Sequence, residues 1–151
     1  MPLLLQQQGV KKKQINAELG ADIVINHYTE DVEKRVREIF NEGVDIVIDH
    51  VGKATFEKSI KCLKKGGRLV FFGTTTGDTT EINIRYNFTR EISLKGVYMG
   101  RKGDLFKITE LFKKGILKPV VNKVFNLKDA GIAHKYLEES KHFGKVVLKV
   151  N

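Results

Sequence analysis

Gly43-Val44-Asp45-Ile46-Val47-Ile48-Asp49-His50-Val51-Gly52 is the stretch on which the fold turns. Its β-branched residues are apolar on both faces, the mark of a strand covered on both sides in a parallel sheet. Just before it, Val32, Val36, Ile39 and Phe40 recur at helical spacing. Thr29 offers an N-cap, and Glu30 and Asp31 put negative charge where the helix dipole favours it. These signals predict a helix over 30–42 that Gly43 stops. Earlier still, Ile23-Val24-Ile25-Asn26 repeats the buried-strand pattern.

The same alternation continues toward the C-terminus. Phe56, Ile60 and Leu63 mark a second helix, ended by Gly66-Gly67, and Arg68-Leu69-Val70-Phe71-Phe72-Gly73 reads as a strand. A Thr/Gly loop and a short extended stretch at Ile82 to Ile84 lead to a strand within Glu91 to Tyr98. Leu105, Ile108, Leu111 and Phe112 give a helix stopped by Gly115, and Pro119 to Phe125 is extended. Asn126 is expected to cap a last helix with Ile132, Tyr136 and Leu137 inward, before a closing strand at Lys145 to Val150. Strands alternating with helices at this spacing mean βαβ units and a parallel sheet, so the class is α/β. The first 20 residues break the pattern. Leu3-Leu4-Leu5-Gln6-Gln7-Gln8 is low in complexity and shows neither strand alternation nor helical amphipathicity.

With 151 residues, 41% of them apolar and 30% charged, the chain has the composition of a globular protein with a sizeable core. No apolar run reaches the roughly 20 residues of a membrane span, and the start lacks the features of a signal peptide. Cys62 is the sole cysteine, which excludes an internal disulfide framework and suits a reducing cytoplasm. Lys and Arg number 27 against 18 Asp and Glu, a net charge of +9. These cations are spread along the polar faces of the helices, and Lys11-Lys12-Lys13 has no aromatic residues among it to stack bases. The charge is read as a solvated surface, with no nucleic-acid partner expected.

In open α/β sheets ligands bind outside the carboxyl ends of the strands. Those ends carry His27, then His50-Val51-Gly52, then Gly73-Thr74-Thr75-Thr76-Gly77, then Met99-Gly100. Small residues there let a ligand approach the backbone, although glycines after strands also serve simply to turn the chain. No G-x-G-x-x-G or G-x-x-x-x-G-K-[ST] occurs. His134 and His142 are too far apart for a helical metal pair, and no cluster has metal-ligand spacing. Cys62 reads as a small core thiol, and Asp49 as a strand-end carboxylate bonded to nearby amides rather than a general base.

Four motifs carry a resemblance: Glu18-Leu19-Gly20-Ala21-Asp22, the stretch 43–52, Lys65-Gly66-Gly67-Arg68-Leu69-Val70, and His142-Phe143-Gly144-Lys145-Val146-Val147-Leu148. In this order they resemble the medium-chain dehydrogenase/reductase superfamily, in its zinc-type alcohol dehydrogenase and quinone oxidoreductase branch. The resemblance implies a truncated Rossmann-type doubly wound parallel sheet without its first strands and glycine-rich loop. It divides the chain into an atypical segment 1–13, a partial NAD(P)-binding domain 14–118 and a C-terminal return segment 119–151. By the same likeness NAD(P) is the implied cofactor, with His27 near the adenosine and His50, Val51 and Gly52 in the loop after the next strand. Phe72, Gly73, Thr74 and Thr75 match the loop along the nicotinamide half, and Met99 and Gly100 the loop beside its carboxamide. No catalytic residue and no zinc ligand of the family has a counterpart here. The catalytic domain is outside this sequence, so the chain alone is expected to be inactive. The other reading is a stand-alone, non-catalytic nucleotide-binding or assembly module.

The resemblance also bears on the odd beginning. One codon choice for Leu4 to Val10, read two bases on, spells the strand that the family has before Lys11, and a shifted reading frame is the expected origin of this segment. Loss of the first two strands is expected to bare apolar edges beside the strands at 22–27 and 44–49, and so to favour homo-oligomers.

Overall fold

Among the described residues every strand pairing is parallel, and the pairs from Val44 onward are joined through helices. The computed structural model describes the backbone of residues 4–7 and residues 19–139 and 142–150 in full. It divides into two units, residues 1–99 and 100–151, which are taken in turn.

The first unit begins with β1 (Leu4–Gln7), in parallel register with β2 (Ile23–Asn26) from Leu4↔Ile23 to Gln7↔Asn26. The segment pairs although its sequence shows neither strand alternation nor helical amphipathicity. Pairing answers to backbone hydrogen bonds, and β2 supplies a free edge that needs no side-chain alternation in its partner. Consequently β2 is not left bare as the loss of two strands implied.

Helix α1 (Val32–Ile39) starts later than the apolar spacing suggested. Its N-cap is Asp31, whose Oδ1 accepts the Lys34 N–H at 2.9 Å. Thr29 and Glu30 belong instead to a turn closed on the Asn26 carbonyl, with N–H···O distances of 3.1 and 2.9 Å. Asp31 outcompetes Thr29 because the Glu30 carboxylate also reaches back to the Asn26 N–H at 2.8 Å, holding the turn open before the helix.

The main sheet has the order β3-β4-β5, from Val44–Asp49, Leu63–Phe71 and Ser93–Gly96. Helix α2 (Phe56–Lys61) is shorter than expected, and Leu63 lies in β4 opposite Val44. The Val44 N–H bonds the Cys62 carbonyl at 2.9 Å, which pulls the chain out of the helix at that point. Gly43, with φ of +97°, makes this approach possible, since a Cβ there would lie 2.5 Å from the Cys62 oxygen. Ile82 to Ile84 does not continue as an extended stretch. Asn83 accepts the Tyr86 N–H at 2.9 Å and starts α3 (Ile84–Thr89).

Two apolar clusters meet on β3. Ile25, Val36 and Cys62 form one, and Ile60, Leu63 and Leu69 the other, while Val44 and Val47 pack against both. Ile46 and Ile48 alternate onto the opposite face and are exposed, at 48% and 66%. Among the described residues β3 pairs only with β4, so its other edge is open.

The second unit contains α4 (Lys102–Lys113), β6 (Val121–Asn126), a 3-10 turn at Leu127–Asp129, α5 (Ala130–Glu138) and β7 (Lys145–Lys149). β6 and β7 form a parallel pair. Asn126 precedes the 3-10 turn and does not cap α5 through its side chain. In α5 the buried residue is Ala133, whereas Ile132 faces solvent, contrary to the expected inward set. The two-stranded sheet is too narrow to cover a full apolar face, so only a small residue is sealed against it. Tyr136 donates to Asn122 Oδ1 at 2.7 Å, and Lys123 stands over the Phe125 and Tyr136 rings. Among the described residues no helix is long and apolar enough to cross a membrane.

Candidate functional site

At the carboxyl ends of β3 and β4 two loops lock together. The loop from His50 to Lys53 follows β3, and the loop from Phe72 to Gly77 follows β4. The Phe72 N–H donates to the Asp49 carbonyl at 3.1 Å, and the Thr76 N–H to the Val51 carbonyl at 2.9 Å. Thr76 Oγ1 lies 2.9 Å from that same carbonyl and also accepts the Ala54 N–H at 2.9 Å. The Lys53 N–H reaches the Gly77 carbonyl at 3.3 Å.

Glycine makes this contact possible at two points. Gly52 has φ of +89°, and a Cβ on it would meet the Gly77 oxygen at 2.9 Å and the Thr74 Cα at 3.0 Å. A Cβ on Gly73 would strike the His50 carbonyl oxygen. In both cases the obstacle is backbone, which cannot swing aside as a side chain does.

Beneath the loops sits Asp49, with 4% exposure, against the start of α2. Its Oδ1 accepts the Val51 and Gly52 N–H groups at 2.8 and 3.0 Å, and its Oδ2 accepts the Thr55 and Ser59 hydroxyls at 2.7 Å each. Burial by itself raises the pKa of such a carboxyl, but the donors from Gly52, Ser59, Thr55 and Val51 outweigh it. The pKa is held below the ordinary 3.8. Asp49 is thus a bonded strand-end carboxylate with all its charge answered by neutral donors, as the sequence suggested.

The structure brings together seven of the expected site residues: His50, Val51, Gly52, Phe72, Gly73, Thr74 and Thr75. The His50 and Phe72 rings are 6.3 Å apart and both side chains are exposed, Phe72 at 56%. Thr74 and Thr75 are exposed beside them. His27 has a separate contact, its ring stacked on Tyr28 at 4.4 Å. Met99 is exposed in the left-handed region with φ of +43°, and Gly100 opens the second unit. Thr55 and Ser59 were not foreseen as parts of the site, while Thr76 was placed only at the strand end. A signal existed in Thr55 and Ser59, four apart and so on one face of α2 beneath Asp49.

The remaining candidates settle plainly. Cys62 is buried, and desolvation pushes its thiol up to about 11, which makes it an inert core residue. Among the described residues no group of three or more His, Cys, Asp or Glu is placed to hold a metal ion.

Parallel α/β sheets with locked, exposed loops at the carboxyl edge define the fold as a truncated Rossmann-like one. The comparisons with known proteins narrow that class. The family model for zinc-binding dehydrogenases matches residues 19–148, and the chain belongs to that family. It is 34% identical over 150 residues to the quinone oxidoreductase of Salmonella typhimurium, covering 91% of this chain and 46% of that protein. It is 30% identical to the alcohol dehydrogenase of Geobacillus stearothermophilus, covering 93% of this chain and 41% of that protein. A crystal structure of an NAD-dependent alcohol dehydrogenase superposes with a TM-score of 0.88 at 35% identity, over 99% of this chain and 44% of that one. The chain therefore spans about half the length of these relatives and corresponds to their C-terminal, cofactor-domain part.

Proposed function

We propose that this chain is the nicotinamide-binding portion of an NAD(P)-dependent oxidoreductase acting on an alcohol, aldehyde or quinone. One observation carries the proposal. The His50–Gly52 and Phe72–Thr75 loops are clamped backbone to backbone into a rigid strip at the sheet's carboxyl edge. A flat ring bearing a carboxamide suits such a strip: Phe72 and Val51 offer apolar surface, and Thr74, Thr75 and the loop amides offer hydrogen bonds. The adenosine side is served by His27, and Met99 and Gly100 extend the carboxamide side. The fit is partial, because the sequence has no glycine-rich phosphate loop. When bound, the cofactor supplies the hydride chemistry, while these residues orient its ring and exclude water from one face.

The chain on its own binds but does not turn over substrate, since the catalytic groups belong to the half of the family fold that this sequence does not span. It works in the cytoplasm as a homo-oligomer that covers the open β3 edge and the exposed Ile46 and Ile48. Titration with NADH and NADPH, followed by reduced-nicotinamide fluorescence, tests the reading. Saturable binding of one or both is expected. No saturation at millimolar cofactor overturns the proposal in favour of a non-catalytic assembly module.

A further inference from the structure

Asp49 is the one buried charged residue among the described residues. It has no cationic partner in its network; its four donors are two amides and two hydroxyls. Each pair comes from a different element. Val51 and Gly52 belong to the loop after β3, while Thr55 and Ser59 belong to the start and first turn of α2. The residue's own carbonyl takes the Phe72 N–H from the end of β4. Asp49 is therefore bonded to the strand, the helix and both loops of the candidate site at once.

Such an arrangement is costly for a residue that merely fills space. A buried carboxylate loses its hydration, and a threonine or an apolar residue would end the strand without that loss. What the carboxylate adds is direction. Two acceptor lone pairs on Oδ1 fix the amides of Val51 and Gly52, which sets the left-handed turn at Gly52 and aims the His50–Val51 peptide. The Val51 carbonyl is then in place to receive Thr76, and Gly73 closes on His50.

We propose that Asp49 is a positioning residue for nicotinamide, holding the His50–Gly52 loop in the orientation that lets it and the Phe72–Thr75 loop act as one surface. This rests on the cofactor reading above. It assigns Asp49 no contact with the ring.

The test is NADH titration of the full chain and its variants, with circular dichroism confirming that each is folded at the titration temperature. Asp49→Ala is expected to weaken NADH about tenfold in the folded molecules, as loss of a hydrogen-bonded buried network implies. Asp49→Asn keeps one oxygen for both amides and an amide that Thr55 and Ser59 can accept from, so it is expected to restore most of the affinity. If Asp49→Ala does not fold, the double variant Thr55→Val with Ser59→Ala strips Oδ2 of its donors and should weaken NADH in the same direction. A role confined to stability would lower the melting temperature and leave the affinity of folded variants unchanged, and that result overturns the proposal. Should the wild-type chain itself fail to bind NADH and NADPH, the cofactor reading falls, and this inference falls with it.

Discussion

Gly73 lies directly against the carbonyl of His50, so closely that a Cβ at position 73 would collide with that oxygen. The two loops of the candidate site owe their spacing to this missing side chain. Gly73→Ala is therefore expected to separate them, since the obstacle is backbone on both sides. The cost should be about 1–3 kcal/mol, as for other overpacked sites. Chemical denaturation will show it as a lowered midpoint, and hydrogen exchange should show faster exchange at the Thr76 amide.

The start of α1 offers a second check. Asp31→Ala removes the acceptor of the Lys34 N–H and should cost about 1 kcal/mol, as N-cap losses do. Thr29→Ala, outside the helix, should change the denaturation midpoint far less. Equal effects would move the cap back to Thr29.

Acid should act on the site through Asp49. Its pKa in the folded chain is below the ordinary 3.8, so the ionised form favours folding above that value, and the contribution is lost as the pH falls through the folded value. Stability measured by urea at about pH 6 and about pH 3 should fall less steeply in Asp49→Asn than in the wild type. An identical pH slope in the two proteins contradicts the assignment.

Cys62 should resist modification. Its thiol is buried and pushed up to about 11, so at neutral pH little thiolate exists and what exists is inaccessible. Reaction with a thiol reagent is expected to be slow in buffer and fast in denaturant. Rapid labelling of the native chain would place Cys62 at the surface.

The open side of β3 predicts self-association. Replacing both Ile46 and Ile48 with Glu puts charge along this strand and should convert oligomers to monomers in light scattering. A wild-type chain that is already monomeric removes the proposed homo-oligomer.

Much of this architecture was legible in residue order. The runs at 23–26, 44–49 and 68–71 were readable as parallel strands from their continuous apolar β-branched residues. The second face of 44–49, with Ile46 and Ile48, is nevertheless exposed rather than buried as that pattern suggested. Helix boundaries were harder. Leu63 fits the helical spacing of Phe56 and Ile60, yet it belongs to β4, because the Val44 to Cys62 hydrogen bond ends α2 first. Asn83 starts α3 in a stretch whose isoleucines resembled a strand. Leu4–Gln7 carries no alternation at all and becomes a strand only because β2 offers it an edge.

For the candidate site, sequence pointed to the carboxyl ends of the strands, and the proposed residues His50 to Gly52 and Phe72 to Thr75 lie there. Local chemistry decided that much, since βαβ connectivity places those turns on one edge of the sheet. How they meet was a matter of tertiary packing. The contact of Gly73 with His50 and the bridge from Thr76 to Val51 join residues up to 25 positions apart. No local periodicity encodes such contacts, because they depend on the register of β3 against β4, and that register is set by the shared core of Val47 and Leu69.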